Sequence, residues 1–104
     1  MKKRNAMWDS WVLLLKGAKS FIESKRNYYV CTAIDSYYMI YGGEDISYDA
    51  VYSLKREIDE RLNGSSSVEE WLYHYHKIPM EEFTQDVMRQ YRMAWIDLMI
   101  KEFE

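Results

Sequence analysis

The chain has 104 residues, 48% hydrophobic and 30% charged, with a net charge of −3. That length fits one domain around one core, and the composition is too apolar for disorder and too interrupted by charge for a membrane protein. The longest clean apolar run, Trp11 to Leu15, falls far short of the roughly 18 to 20 residues that cross a bilayer, and the interleaving of acids and bases argues against nucleic acid as a partner.

Residues 1–6 read as a flexible basic tail carrying Lys2, Lys3 and Arg4. They do not read as a leader, because Asp9 and Ser10 split the apolar stretch that follows and Lys16 ends it without a small-residue cleavage site. A cytoplasmic protein is expected. From Met7 to about Ser24, Trp8, Trp11, Val12, Leu15, Ala18 and Ile22 recur at helical spacing on one face. Gly17 inside that helix costs up to about 1 kcal/mol relative to alanine unless close packing requires it.

The segment from Tyr28 to Tyr41 is apolar or aromatic nearly all the way round and ends at Gly42 and Gly43. Fourteen residues without a turn signal exceed the usual strand, so a helix is expected, either central or facing a partner. Cys31 within it is the only cysteine and has mostly apolar flanks, which predicts an inert buried thiol in a reducing compartment. Ser47 caps a third helix with Val51, Leu54, Ile58 and Leu62 inward, closed by Asn63 and Gly64. Ser67 and Glu70 form a capping box for a fourth helix carrying Val68, Trp71, Leu72 and Tyr75, which Pro79 ends. The last helix starts at about Met80 or Thr84 and runs to Phe103, with Val87, Met88, Tyr91, Ala94, Trp95, Leu98 and Met99 facing the core. The predicted architecture is all-α, a compact bundle of four or five helices.

No residue pattern reads as catalytic. There is no phosphate-binding glycine loop, no metalloprotease helix and no nucleophile elbow, so the chain is expected not to be an enzyme and to need no cofactor. His74 and His76 lie about 200° apart on a helix, a poor chelate, so no metal site is predicted. The adjacent carboxylates Glu69 and Glu70, and Glu81 and Glu82, sit where the helix dipole favours negative charge. Asp97 is expected to pair with Lys101 one turn on.

The anomaly is aromatic content: ten tyrosines, four tryptophans and three phenylalanines. Tyr28, Tyr29, Tyr37, Tyr38, Tyr41, Tyr48 and Tyr52 concentrate in the middle, and they cannot all face inward. Tyrosine buries apolar area at low rotamer cost and keeps a hydroxyl for orientation, so Tyr37, Tyr38, Tyr41 and Tyr48 form the first candidate partner surface, with His74 and His76 as second choice. Arg89, Tyr91 and Arg92 could instead line a groove that stacks a base and holds its phosphates, although Arg92 bridging to Glu69, Glu70 or Asp86 is the favoured reading.

The patterns Cys31-x-Ala33-Ile34, Arg61-Leu62-x-Gly64, Ser67-x-x-Glu70-Trp71-Leu72 and Arg92-x-x-Trp95-Ile96-Asp97-x-x-Ile100 together resemble small helical accessory proteins of tailed phages and prophages, over about residues 28–102. The resemblance implies a protein made to alter a bacterial host, and it carries over no catalytic residue. The expected function is stoichiometric, an anti-defence inhibitor in the host cytoplasm that masks a host defence protein. The alternatives are an oligomeric sponge for a nucleotide second messenger of host immunity, and a homo-oligomeric structural or assembly protein that buries the second helix against its own copy.

Overall fold

The computed structural model describes residues 6–25, 27–42 and 45–104. The basic tail at 1–5, with Lys2, Lys3 and Arg4, and the helix-ending Gly43 lie outside the described residues. Among the described residues the chain forms five α-helices and two short turns of other helix types, as the all-α reading expects. These are α1 (Trp8–Glu23), α2 (Val30–Tyr37) continued by a π-helical turn (Tyr38–Gly42), α3 (Tyr48–Leu62), α4 (Val68–His76), a 3-10 turn (Met80–Glu82) and α5 (Gln85–Phe103). No described helix is long and apolar enough to cross a membrane.

The caps stand where serine and threonine chemistry puts them. Ser47 Oγ accepts from the Ala50 amide, Ser67 Oγ from the Glu70 amide and Thr84 Oγ1 from the Val87 amide, each filling one of the orphan donors of a first turn. Asn63 and Lys77 close α3 and α4 in the left-handed conformation, so α4 stops two residues ahead of Pro79. The capping box differs in one detail. The Glu70 carboxylate reaches back to the amide and hydroxyl of Ser66, one residue before the N-cap, and the Ser66 hydroxyl holds that carboxyl below its ordinary range.

α1 is the axis of the bundle, packed on one side by α5 and on the other by α2, while α4 leans on α5. Leu14, Leu15, Ala18 and Ile22 of α1 meet Ile34, Val51, Leu54, Ile58 and Ile96 in a core with no side-chain exposure beyond 1%. Phe103 fills one end, its ring 5.1 Å from Trp11 edge-on and 5.2 Å from Trp8, and Trp11 Nε1 donates to Ser53 Oγ at 3.0 Å. The α3 stripe of Val51, Leu54, Ile58 and Leu62 is buried as predicted.

The core face of α5 is corrected. The buried residues are Arg92, Ile96, Met99, Ile100 and Phe103, whereas Ala94 and Leu98 of the predicted stripe are exposed. The helix is apolar on two sides, so periodicity alone identifies two stripes and cannot choose which one α1 takes. Asp97 is corrected too: its partner is Lys19 on α1, at 2.9 Å, and not Lys101. Tyr75 is not core, for its hydroxyl accepts from Asn63 Nδ2 and donates to Asn63 O, a surface strut from α4 to the end of α3.

Candidate interaction surface

The tyrosine-rich segment divides at Tyr37. Val30, Ala33 and Ile34 turn inward, and beyond Tyr37 the backbone widens into a π-helical turn. That extra residue per turn breaks the α-helical face, and Met39, Ile40 and Tyr41 follow one another on the outside, 83%, 62% and 64% exposed. Single-turn π segments occur frequently at functional sites.

Around this turn the rings form two groups. Tyr37 lies over Gly17 and meets Phe21 edge-on at 6.3 Å and Tyr41 at 5.4 Å, with Tyr28 on the far side of Phe21. Tyr38 meets Tyr48 edge-on at 6.3 Å, and Tyr48 begins a stripe along α3 that continues through Tyr52 to Arg56, whose guanidinium lies over the Tyr52 ring. Tyr37 and Tyr38 are half-buried while Tyr41 and Tyr48 are exposed, so the four predicted tyrosines share one end of the molecule in two roles. Tyr37 anchors and Tyr41 and Tyr48 present. Met39, Ile40 and Tyr52 belong with the exposed set; Tyr52 is among the central tyrosines of the sequence but not among the four of the candidate surface, and Met39 and Ile40 escaped sequence reasoning, which singled out tyrosine and treated the segment as a uniform helix.

His74 and His76 are both exposed but do not act together. His74 Nε2 lies 3.8 Å from Glu70 and its ring meets Tyr73, whereas His76 packs edge-on against Trp71 at 4.5 Å. Among the described residues no group of three or more His, Cys, Asp or Glu is placed to hold a metal.

The arginines of the nucleotide reading also part company. Arg92 is 3% exposed, and its Nε donates to Glu69 Oε1 at 2.5 Å while Nη1 donates to Asn27 Oδ1 at 3.1 Å and to the Tyr28 carbonyl at 2.8 Å. The Tyr29 ring covers the guanidinium at 4.7 Å. Arg89 pairs with Asp86 on the surface, and Tyr91 meets Phe83 edge-on at 6.0 Å, facing a groove between α4 and α5. The three residues thus make separate contacts, and Arg92 bridging to Glu69, the alternative favoured above, is the arrangement found.

Cys31 is half-buried, and burial together with the Asp59 carboxylate pushes its thiol up to about 11. Such a thiol stays protonated through neutral pH. At pH 8 its thiolate fraction is about a hundredfold below that of a solvated cysteine. Alkylation followed by mass spectrometry should run at least tenfold slower than for the unfolded chain, and equal rates would place Cys31 on an open surface.

A second apolar surface lies along α5. Trp71, Leu72, Tyr91, Trp95 and Leu98 line a hollow of about 510 Å³ between α4 and α5, and a neighbouring hollow of about 650 Å³ has Glu81, Glu82, Val87, Gln90 and Ala94 at its walls. No family model, curated protein or solved structure matches this chain.

Proposed function

We propose that the protein acts by stoichiometric, non-catalytic binding of another protein through the π-helical turn and the adjoining tyrosine stripe. The observation that carries this reading is the run Met39, Ile40 and Tyr41, three bulky apolar side chains in succession turned outward. Such a run keeps apolar area in water that a partner would cover, at roughly 25 cal/mol per Å². Methionine, tyrosine and arginine are the residue types enriched at protein interfaces, and Met39, Tyr41, Tyr48, Tyr52 and Arg56 supply all three. The finer reading, a phage-encoded inhibitor that masks a host defence protein in the bacterial cytoplasm, rests on the sequence resemblance to phage accessory proteins alone.

The test separates anchors from contacts. Met39→Ser, Ile40→Ser and Tyr41→Ser together remove the exposed apolar run and leave Tyr37 on Gly17. Stoichiometric co-purification of a bacterial protein from a host lysate should be lost in this variant, by at least thirtyfold in affinity, with the thermal midpoint unchanged within a few degrees. Retained capture would exclude this surface.

A further inference from the structure

We infer that the protein forms a two-fold symmetric dimer through the outer stripe of α5, an interaction separate from the tyrosine surface. Leu98 stands 68% exposed on that stripe, one turn from the exposed Ala94, and the stripe continues to Lys101. Two α5 helices crossing antiparallel at Ala94 set each Leu98 opposite Gln90 of the other copy and each Lys101 opposite Val87. Gln90 and Val87 line the 650 Å³ hollow whose other wall is Glu81 and Glu82. One rotation therefore seats an apolar knob in a hollow and brings a cation to a pair of carboxylates, twice.

Three features favour a second copy over any other occupant. Knob and hollow lie on the same stripe of the same chain, the self-complementary arrangement that an isologous interface demands. Glu81 and Glu82 lie in the turn just before α5 and Lys101 near its end, where the Glu102 and Glu104 carboxylates are held by Arg61 and Lys16, so antiparallel pairing brings Lys101 toward Glu81 and Glu82 and opposes the helix dipoles. Among the described residues no ion pair engages Lys101, Glu81 or Glu82, whereas Asp97 and Asp86 on the same helix are paired with Lys19 and Arg89. Ala94 at the crossing admits close approach of the helix axes, and contact from Val87 to Lys101 runs about 21 Å along the helix.

Sedimentation velocity on the full chain across the micromolar range tests this directly. The wild type should sediment at twice the chain mass. Leu98→Glu should raise the dimer dissociation constant at least thirtyfold, and Lys101→Glu about tenfold. Adding Glu81→Lys and Glu82→Lys to Lys101→Glu should restore dimerisation to within threefold of wild type. All four positions are exposed, so helicity by circular dichroism should not change. A monomeric wild type would overturn the inference, as would a dimer that survives Leu98→Glu, and charge reversal without rescue would overturn the antiparallel register. The variant altered at Met39, Ile40 and Tyr41 should remain dimeric, so failure of the dimer and failure of the binding surface are read separately.

Discussion

Arg92→Ala should destabilise the protein by about 3 to 5 kcal/mol, because it leaves the Glu69 carboxylate buried without its partner. Glu69 is 6% exposed and Arg92 3%, so water cannot replace what is lost. The same guanidinium holds the Tyr28 carbonyl and the Asn27 side chain, and so ties the segment before α2 to α4 and α5. Domains of this size have total stabilities of about 5 to 15 kcal/mol, so a large share of the whole is at stake. A fall in thermal midpoint on the order of 15 to 30 °C follows, measured by circular dichroism.

The comparison that gives this number its meaning is the double variant Arg92→Met with Glu69→Leu. Replacing both members of a buried pair by apolar groups of similar volume removes the charge penalty along with the attraction, so more than half of the lost stability should return. What stays lost measures the Tyr28 carbonyl, which methionine cannot satisfy. Arg92→Lys keeps the charge but not the fork that serves Glu69, Asn27 and Tyr28 at once, and should fall between wild type and Arg92→Ala. A loss under about 1 kcal/mol for Arg92→Ala would show that the pair does not organise this end of the bundle.

The helices and their ends were legible because local chemistry decides them. Ser47 and Ser67 needed only their own side chains to announce a start, and Asn63 its tolerance of the left-handed region to announce a stop, whereas the sequence allows the last helix to start at Met80 or Thr84 and it begins after Thr84, with Met80 in a separate 3-10 turn. Faces were harder wherever a helix is apolar on more than one side. In α5 the stripe through Ala94 and Leu98 is as regular as the one through Ile96 and Ile100, and only the position of α1 distinguishes them. The same ambiguity hid the groove beside Trp71 and Trp95. Two long-range ion pairs were invisible for a related reason: Lys19 with Asp97 and Lys55 with Asp35 join residues far apart in sequence, whereas spacing arguments see only neighbours one turn away. The aromatic surface was half legible. Tyrosine density pointed to the end of the molecule where Tyr41 and Tyr48 stand exposed, but the π-helical turn that throws Met39 and Ile40 outward has no sequence signature of its own.

Gly17→Ala should destabilise the protein by about 1 to 3 kcal/mol, although alanine is the better helix former by up to about 1 kcal/mol. A Cβ at Gly17 would stand 2.3 Å from Cγ of Tyr37, a separation at which the ring must move. Cγ stands only two bonds from the α2 backbone, so the ring cannot yield by rotating its far end alone. It must pull away from Phe21, or α1 and α2 must separate at their closest approach. The glycine is therefore required by the aromatic surface, because it seats the anchor beside which Tyr41 is presented. The sign of the effect should depend on that ring. In a Tyr37→Ala background the contact is gone, helix propensity alone remains, and Gly17→Ala should stabilise by up to about 1 kcal/mol. Urea unfolding of the four chains in this cycle measures a coupling energy of about 1 to 4 kcal/mol between two positions on different helices. If Gly17→Ala stabilises both backgrounds equally, Tyr37 does not rest on α1, and the division of the tyrosines into anchor and presented contacts falls with it.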